Sequence, residues 1–215
     1  DGSQVGTPDL VLEMPEPYVH AGDGTEQYQV FVLPSGLTEQ KQIRAVEIRP
    51  DNSAIAHHGL LGYTSDASTI AQAIALDEAT EDPGYESFGS YGVNVDDDFF
   101  GGWAPGIEAL IFPPTIGKKM EPESALLLQM HYGETMAEES DQTSVNIFFA
   151  EEEVERVVES ALMSPEHLTV PFYIPANQVV TFHGTMYIPG DVSVLSIIPH
   201  SHLLGQSWQV FATSG

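Results

Sequence analysis

The segment ALLLQMH, residues 125–131, is a short apolar run that favours a β-strand and leads directly into Tyr132 and Gly133. Similar β-rich runs, each bounded by turn residues, recur along the chain, whereas long amphipathic helices are missing. The predicted strands cover residues 28–33, 42–48, 125–131, 144–150, 168–174, 179–187 and 192–198. This pattern is typical of an all-β sandwich or barrel.

The segments between these strands suggest how the chain is organised. Residues 67–76 and 151–162 have helical spacing, although the second segment suits an extended connection equally well. Residues 77–106 are rich in Gly, Pro, acidic and aromatic residues, which predicts a long ordered surface loop. The acidic cluster at 151–153 marks a boundary between domains 1–150 and 151–215. The second domain is predicted to be incomplete, because a sandwich usually needs about 100 residues.

Composition excludes several classes of function. The chain has 32 acidic and 6 basic residues, so nucleic acid is not an expected partner. The large negative charge favours a saline environment, where salt screens the self-repulsion. There is no cysteine, so a soft-metal site must use histidine and methionine. No apolar run approaches the roughly 20 residues of a membrane span.

Histidines occur in two close pairs that could bind a metal. His200 and His202 are two residues apart and would share one face of a strand. His57 and His58 are adjacent, so they can bind one ion only where the chain bends, with His131 as the candidate third ligand. The remaining candidates are predicted to be ordinary polar residues: His20, His167 and His183. Imidazole suits zinc, copper, nickel and iron, so spacing alone does not choose the metal.

Four segments together carry a resemblance to a known family. They are IRP at 48–50 leading into His57 and His58, GWAPG at 102–106, LQMHYG at 128–133 and HSHLLG at 200–205. In order and approximate spacing, the chain resembles the copper type II, ascorbate-dependent monooxygenases, which include the peptidylglycine- and dopamine-hydroxylating enzymes. The resemblance implies two jelly-roll-like β-sandwich domains, each holding one copper ion across a cleft.

The resemblance also implies roles for the histidines. His57, His58 and His131 correspond to the ligands of the electron-transfer copper, and His200 and His202 to the catalytic ligands of the oxygen-activating copper. In the family a downstream methionine completes the second site, and neither Met130 nor Met186 matches its position. A second chain or a further C-terminal segment is therefore an expected partner.

The function implied is a copper- and oxygen-dependent monooxygenase that hydroxylates a C–H bond of a small substrate, using an external reductant such as ascorbate. Ile198 stands where peptide-hydroxylating relatives carry an arginine, so a peptidylglycine substrate is not expected. An extracytoplasmic location is implied by the resemblance alone. Two alternatives stay open: a non-catalytic copper- or zinc-binding module, and a β-sandwich that binds no metal.

Overall fold

A computed structural model describes residues 2–199 and 204–213. The chain divides into two compact units, a first unit of Asp1–Leu162 and a second unit of Met163–Gly215. Strands account for 34% of the chain and helices for 7%, so the predicted all-β class is confirmed. The jelly-roll detail, and a second copper monooxygenase domain from residue 151, stay predictions.

The first unit contains the named strands and one α-helix. In chain order these elements are β1 (Leu10–Glu13), β2 (Tyr18–His20), β3 (Gln27–Pro34), β4 (Lys41–Arg49), β5 (Ala56–Thr64), α1 (Ala67–Asp77), β6 (Tyr85–Glu86), β7 (Asp97–Trp103), β8 (Leu110–Ile111), β9 (Ile116–Met120), β10 (Ala125–Tyr132), β11 (Glu139–Asp141), β12 (Ser144–Phe149) and β13 (Arg156–Val157).

Two larger sheets and one small sheet organise these strands. One sheet has the order β1-β12-β4-β9-β13, with β8 also paired to β4, and the other has the order β6-β3-β10-β5-β7. Strands β11 and β2 form a separate pair. The main hydrophobic cluster takes side chains from both larger sheets, including Phe31, Leu61 and Leu128 from one and Val46 and Ile147 from the other. Such shared burial is the packing of a β-sandwich.

Strand β10 is the central strand of its sheet, and all eight of its residues are buried. Leu126 and Leu128 belong to the main cluster, while Ala125 and Leu127 belong to a second cluster on the opposite face. Ala73 of α1 belongs to this second cluster as well. The run is therefore continuously apolar, rather than alternating, because both faces of the strand are covered.

Helix α1 confirms the helix predicted over residues 67–76. It begins after Asp66, whose side chain accepts a hydrogen bond from the Thr69 backbone N–H at 2.8 Å. This N-cap satisfies one of the amide groups that the first turn leaves without a partner.

The structure corrects one prediction about the connecting segments and decides between two alternatives left open for another. The stretch 77–106 is not all loop, because it contains β6 and β7, and β7 pairs with β5. Residues 151–162 form no helix, because their backbone groups bond to β9 and the turn before it: Arg156 N–H donates to Thr115 O, and Val158 N–H to Gly117 O. The extended alternative is the one observed.

The second unit is described over residues 163–199 and 204–213, and there it contains one short 3-10 helix, Pro165–His167, and one isolated bridge, Leu168 to Gly184. The prediction of strands over residues 168–174, 179–187 and 192–198 is therefore wrong. None of the described residues of this unit is buried. A strand needs a neighbouring ladder and a covered apolar face, and these described residues supply neither.

Buried tyrosines give the first unit a sensitivity to alkaline pH. Burial, together with the Asp77 carboxylate, raises the pKa of Tyr85 from an ordinary value of 10.0 to about 12. Between these values the unfolded chain loses a phenol proton that the folded chain keeps. The free energy of unfolding is therefore expected to fall as pH rises from 10 to 12.

Urea unfolding at several pH values between 8 and 12 measures this fall. The Tyr85→Phe variant should lose less stability over the same interval, because it has no phenol proton at this position. An equally steep fall in both proteins would contradict the assignment to Tyr85.

Candidate metal centre

Three aromatic rings form a row across one sheet, at the end of β10. His131 of β10 lies opposite Tyr28 of β3 on one side and opposite His58 of β5 on the other. Residues paired directly across neighbouring strands project from the same face of a sheet. The register therefore brings His58 and His131 together although they are far apart in sequence.

A β-bulge adds His57 to this row. His131 pairs with His58 and Tyr132 pairs with Ala56, so His57 is the extra residue on β5. Ala56 faces the main core, and a Cβ added to Gly59 would lie 2.9 Å from the Met130 sulfur in that core. Both neighbours of the histidine pair thus face inward, which leaves His57 and His58 on the outer face. The bend predicted for the adjacent histidines is confirmed, because a bulge redirects side chains in this way.

The imidazoles of His57, His58 and His131 converge through ring nitrogens, and we call this group the three-histidine site. The Nδ1 atom of His58 lies 3.3 Å from the Nδ1 atoms of both His57 and His131. One nitrogen of each ring lies within 4.8 Å of the others. A tetrahedral ion with metal–nitrogen bonds of about 2.0–2.1 Å separates its ligand nitrogens by about 3.3 Å. The spacing therefore fits three imidazoles on one ion.

The chemistry of the donor set also fits a cation. His58 Nδ1 carries either one proton or one lone pair in the ring plane. It can therefore make one ordinary N–H···N hydrogen bond, yet it is 3.3 Å from two imidazole nitrogens. A metal ion at the convergence point accepts a lone pair from each ring at once. The three-histidine site could hold a metal ion.

His131 is buried, whereas the other two rings approach solvent. His131 is 3% exposed, His58 is half-buried and His57 is exposed. The Tyr28 ring stacks on His131 with centroids 4.1 Å apart and planes 10° apart. Burial, with the nearby Glu26 carboxylate, raises the pKa of the Tyr28 phenol above its ordinary value. The site is thus anchored on one side and open on the other.

A buried carboxylate fixes the two chain segments that carry the site. Asp141 is 1% exposed and accepts hydrogen bonds from Asn52 N–H at 2.8 Å, Tyr132 Oη at 2.9 Å and Thr143 Oγ1 at 2.6 Å. Asn52 belongs to the turn before β5, and Tyr132 follows His131. Asp141 therefore links the start of the bulged strand to the end of β10.

The remaining histidines of the described chain have local roles. His20 is fully buried, its Nδ1 accepts from Gly22 N–H and its Nε2 contacts Thr25 O at 3.0 Å. His167 forms a capping box with Ser164, and His183 is exposed. Each is consistent with the ordinary polar role predicted for it. His200 and His202, the predicted ligands of a second ion, lie outside the described residues.

Comparison with known proteins leaves the family of the chain open. No family model matches this sequence, and no curated protein matches it either. The similarity to copper monooxygenases therefore stays a prediction based on four short segments. Over residues 2–199 and 204–213, no helix has the length and apolar character needed to cross a membrane.

Two residues beside the site were not predicted from the sequence. Tyr28 stacks on His131, and Glu26 Oε2 lies 3.6 Å from His131 Nε2. Glu26 immediately precedes β3 and Tyr28 lies near its start, both about a hundred positions from His131. Only the register of β3 against β10 brings them together, so no local motif could have indicated them.

Proposed function

We propose that the three-histidine site binds one copper ion and that the chain is part of a copper- and oxygen-dependent monooxygenase. The observation that carries the proposal is the convergence of the Nδ1 atoms of His57, His58 and His131. The order of the four segments that resemble copper monooxygenases supports the same function. In this reaction one oxygen atom enters a substrate C–H bond and the other leaves as water, with two electrons and two protons supplied by a reductant such as ascorbate.

Copper is favoured over other metals by the ligands themselves. Three neutral imidazoles with no carboxylate among the ligands disfavour magnesium and calcium, which prefer oxygen ligands. Among divalent first-row metals, nitrogen ligands bind Cu(II) most tightly. The copper of such a site supplies one-electron chemistry between Cu(II) and Cu(I).

The chain's own residues hold and shield that centre. His131 and His58 fix two ligand positions on neighbouring strands, while the bulge at His57 adds the third. Tyr28 covers one face of His131. The exposed side of His57 leaves room for small molecules to reach the ion, and open coordination is typical of reactive sites, whereas structural zinc sites are closed by four ligands.

His200 and His202 complete the proposal as ligands of a second copper, at which the oxygen chemistry would take place. The four-segment resemblance supports this role. The third ligand of that copper would come from a further segment or a second chain. Both histidines lie outside the described residues, so their role depends on the sequence alone.

Oxygen consumption tests the proposed enzyme. The copper-loaded chain, combined with the segment or second chain that completes the His200/His202 site, and with ascorbate as reductant and catalase to remove peroxide, should consume oxygen faster than free copper at the same concentration. The His58→Ala variant should fall to the rate of free copper. Consumption no faster than that of free copper would refute the monooxygenase and favour the rival, a non-catalytic copper- or zinc-binding module, which still predicts metal bound by the same three histidines.

A further inference from the structure

Coordination through Nδ1 determines where each imidazole keeps its proton. A ring that offers Nδ1 to a metal is neutral and carries its hydrogen on Nε2. Neutral histidine has two tautomers, and only the one with a proton on Nε2 can bind in this geometry. A partner that accepts a hydrogen bond from Nε2 therefore selects the binding tautomer and fixes the plane of the ring.

Glu26 is placed to be that partner for His131. Its Oε2 atom lies 3.6 Å from His131 Nε2, on the side of the ring away from the three Nδ1 atoms. Glu26 immediately precedes β3, and Tyr28, two residues later, lies opposite His131. Residues two apart in extended chain point to the same face, so Glu26 and Tyr28 approach the same imidazole.

The distance leaves room for Glu26 to close on the ring. A direct hydrogen bond to His131 would need a separation of about 2.7–3.2 Å, shorter than the one observed. The Glu26 side chain is 52% exposed, so little packing opposes its turning toward the ring, and its Oε2 atom also contacts Tyr28 Oη at 3.5 Å. A metal on Nδ1 withdraws electrons from the ring and strengthens Nε2–H as a donor, which favours this closure.

We infer that Glu26 is a positioning residue that accepts the Nε2–H of His131, selects the metal-binding tautomer and supplies a negative charge beside a centre of neutral ligands. This inference rests on the proposed copper site. The charge has a separate effect on redox chemistry. A carboxylate near the ion stabilises Cu(II) more than Cu(I), because the attraction grows with the charge of the cation.

Copper binding in two Glu26 variants tests the inference. Glu26→Ala should weaken Cu(II) binding by about 10- to 100-fold, the usual effect of losing an outer-shell partner. Glu26→Gln should lose less affinity, because its carbonyl can still accept the hydrogen bond, but it should raise the reduction potential because the charge is gone. In the metal-free chain, the nitrogen NMR spectrum should show His131 with its proton on Nε2, and less of this tautomer in Glu26→Ala.

The matched control is Glu39→Gln, which removes the same charge elsewhere. Glu39 is exposed, pairs with Lys41 and lies two residues before β4, about 30 Å along the direction of that strand from the end that leads to β5. The copper affinity and the reduction potential of the Glu39→Gln variant should equal those of the unmodified chain. Unchanged affinity and potential in both Glu26 variants would overturn the inference and leave the copper site intact. An unmodified chain that binds no copper would refute the proposed function itself.

Discussion

Replacing His131 with alanine is expected to weaken Cu(II) binding by more than about 100-fold, beyond the usual effect of losing an outer-shell partner. His131 is the buried ligand, and its Nδ1 atom lies 3.3 Å from that of His58. Without it, His57 and His58 remain as two ligands on a single strand. Isothermal titration against a competing chelator measures the change.

Two further variants make this result specific. His58→Ala should produce a similar loss without opening a cavity, because His58 is only half-buried. His183→Ala changes an exposed histidine of the second unit and should bind copper as the unmodified chain does. If His131→Ala and His183→Ala bind Cu(II) with equal affinity, and circular dichroism verifies that both are folded, then copper does not bind at the three-histidine site.

Asp141→Ala is expected to lower the free energy of unfolding of the first unit by at least about 3 kcal/mol. Its carboxylate accepts three hydrogen bonds from buried or half-buried groups, and each donor left without a partner costs about 1–3 kcal/mol. Burial and the adjacent carboxylate raise the pKa of Tyr132 further above the neutral range, in which an ordinary phenol is already a donor. Urea denaturation followed by tryptophan fluorescence measures the loss.

Asp141→Asn is the matched control for this network. Asparagine keeps the size and one acceptor oxygen of the aspartate, so it should lose less stability than alanine. Because Asp141 links the turn at Asn52 to Tyr132, copper affinity should also fall in Asp141→Ala. A stability equal to that of the unmodified chain would show that the network contributes little.

The sequence predicted the long buried strands well and the glycine-rich strand badly. Strand β10 was identifiable because its apolar run is continuous. Strand β7 was assigned to a loop, since its aspartates, Gly101 and Gly102 are typical of turns. Packing explains these glycines: a Cβ at Gly101 would lie 3.0 Å from Val46, and one at Gly102 would lie 2.8 Å from Phe99. These two glycines are needed because neighbouring side chains approach the backbone closely. No local sequence pattern reveals that approach.

The second unit shows a different limit of the same reasoning. Its alternating apolar residues are the kind that strands use, but Phe172, Tyr187 and Val194 are exposed. Alternation indicates which residues could occupy one face of a sheet. It does not supply the neighbouring strands and the covering layer that make a ladder stable.

The grouping of His57, His58 and His131 was predicted for a physical reason, while their environment could not be foreseen. Adjacent His57 and His58 require an irregular strand, and the bulge at His57 provides it. Their convergence with His131, and the approach of Glu26 and Tyr28, depend on the registers of β5 and β3 against β10. A register follows from the packing of the whole sheet and is not encoded at any one position.

X-ray absorption spectroscopy of the chain loaded with one equivalent of copper tests the three-histidine site most directly. The site predicts scattering from three imidazoles at about 2.0 Å, by analogy with other metal–imidazole bonds, and loss of this signature in the His57→Ala/His58→Ala/His131→Ala triple variant. The His183→Ala variant should give the unmodified spectrum. Copper bound by fewer than three imidazoles, or an unchanged spectrum in the triple variant, would contradict copper binding at the three-histidine site.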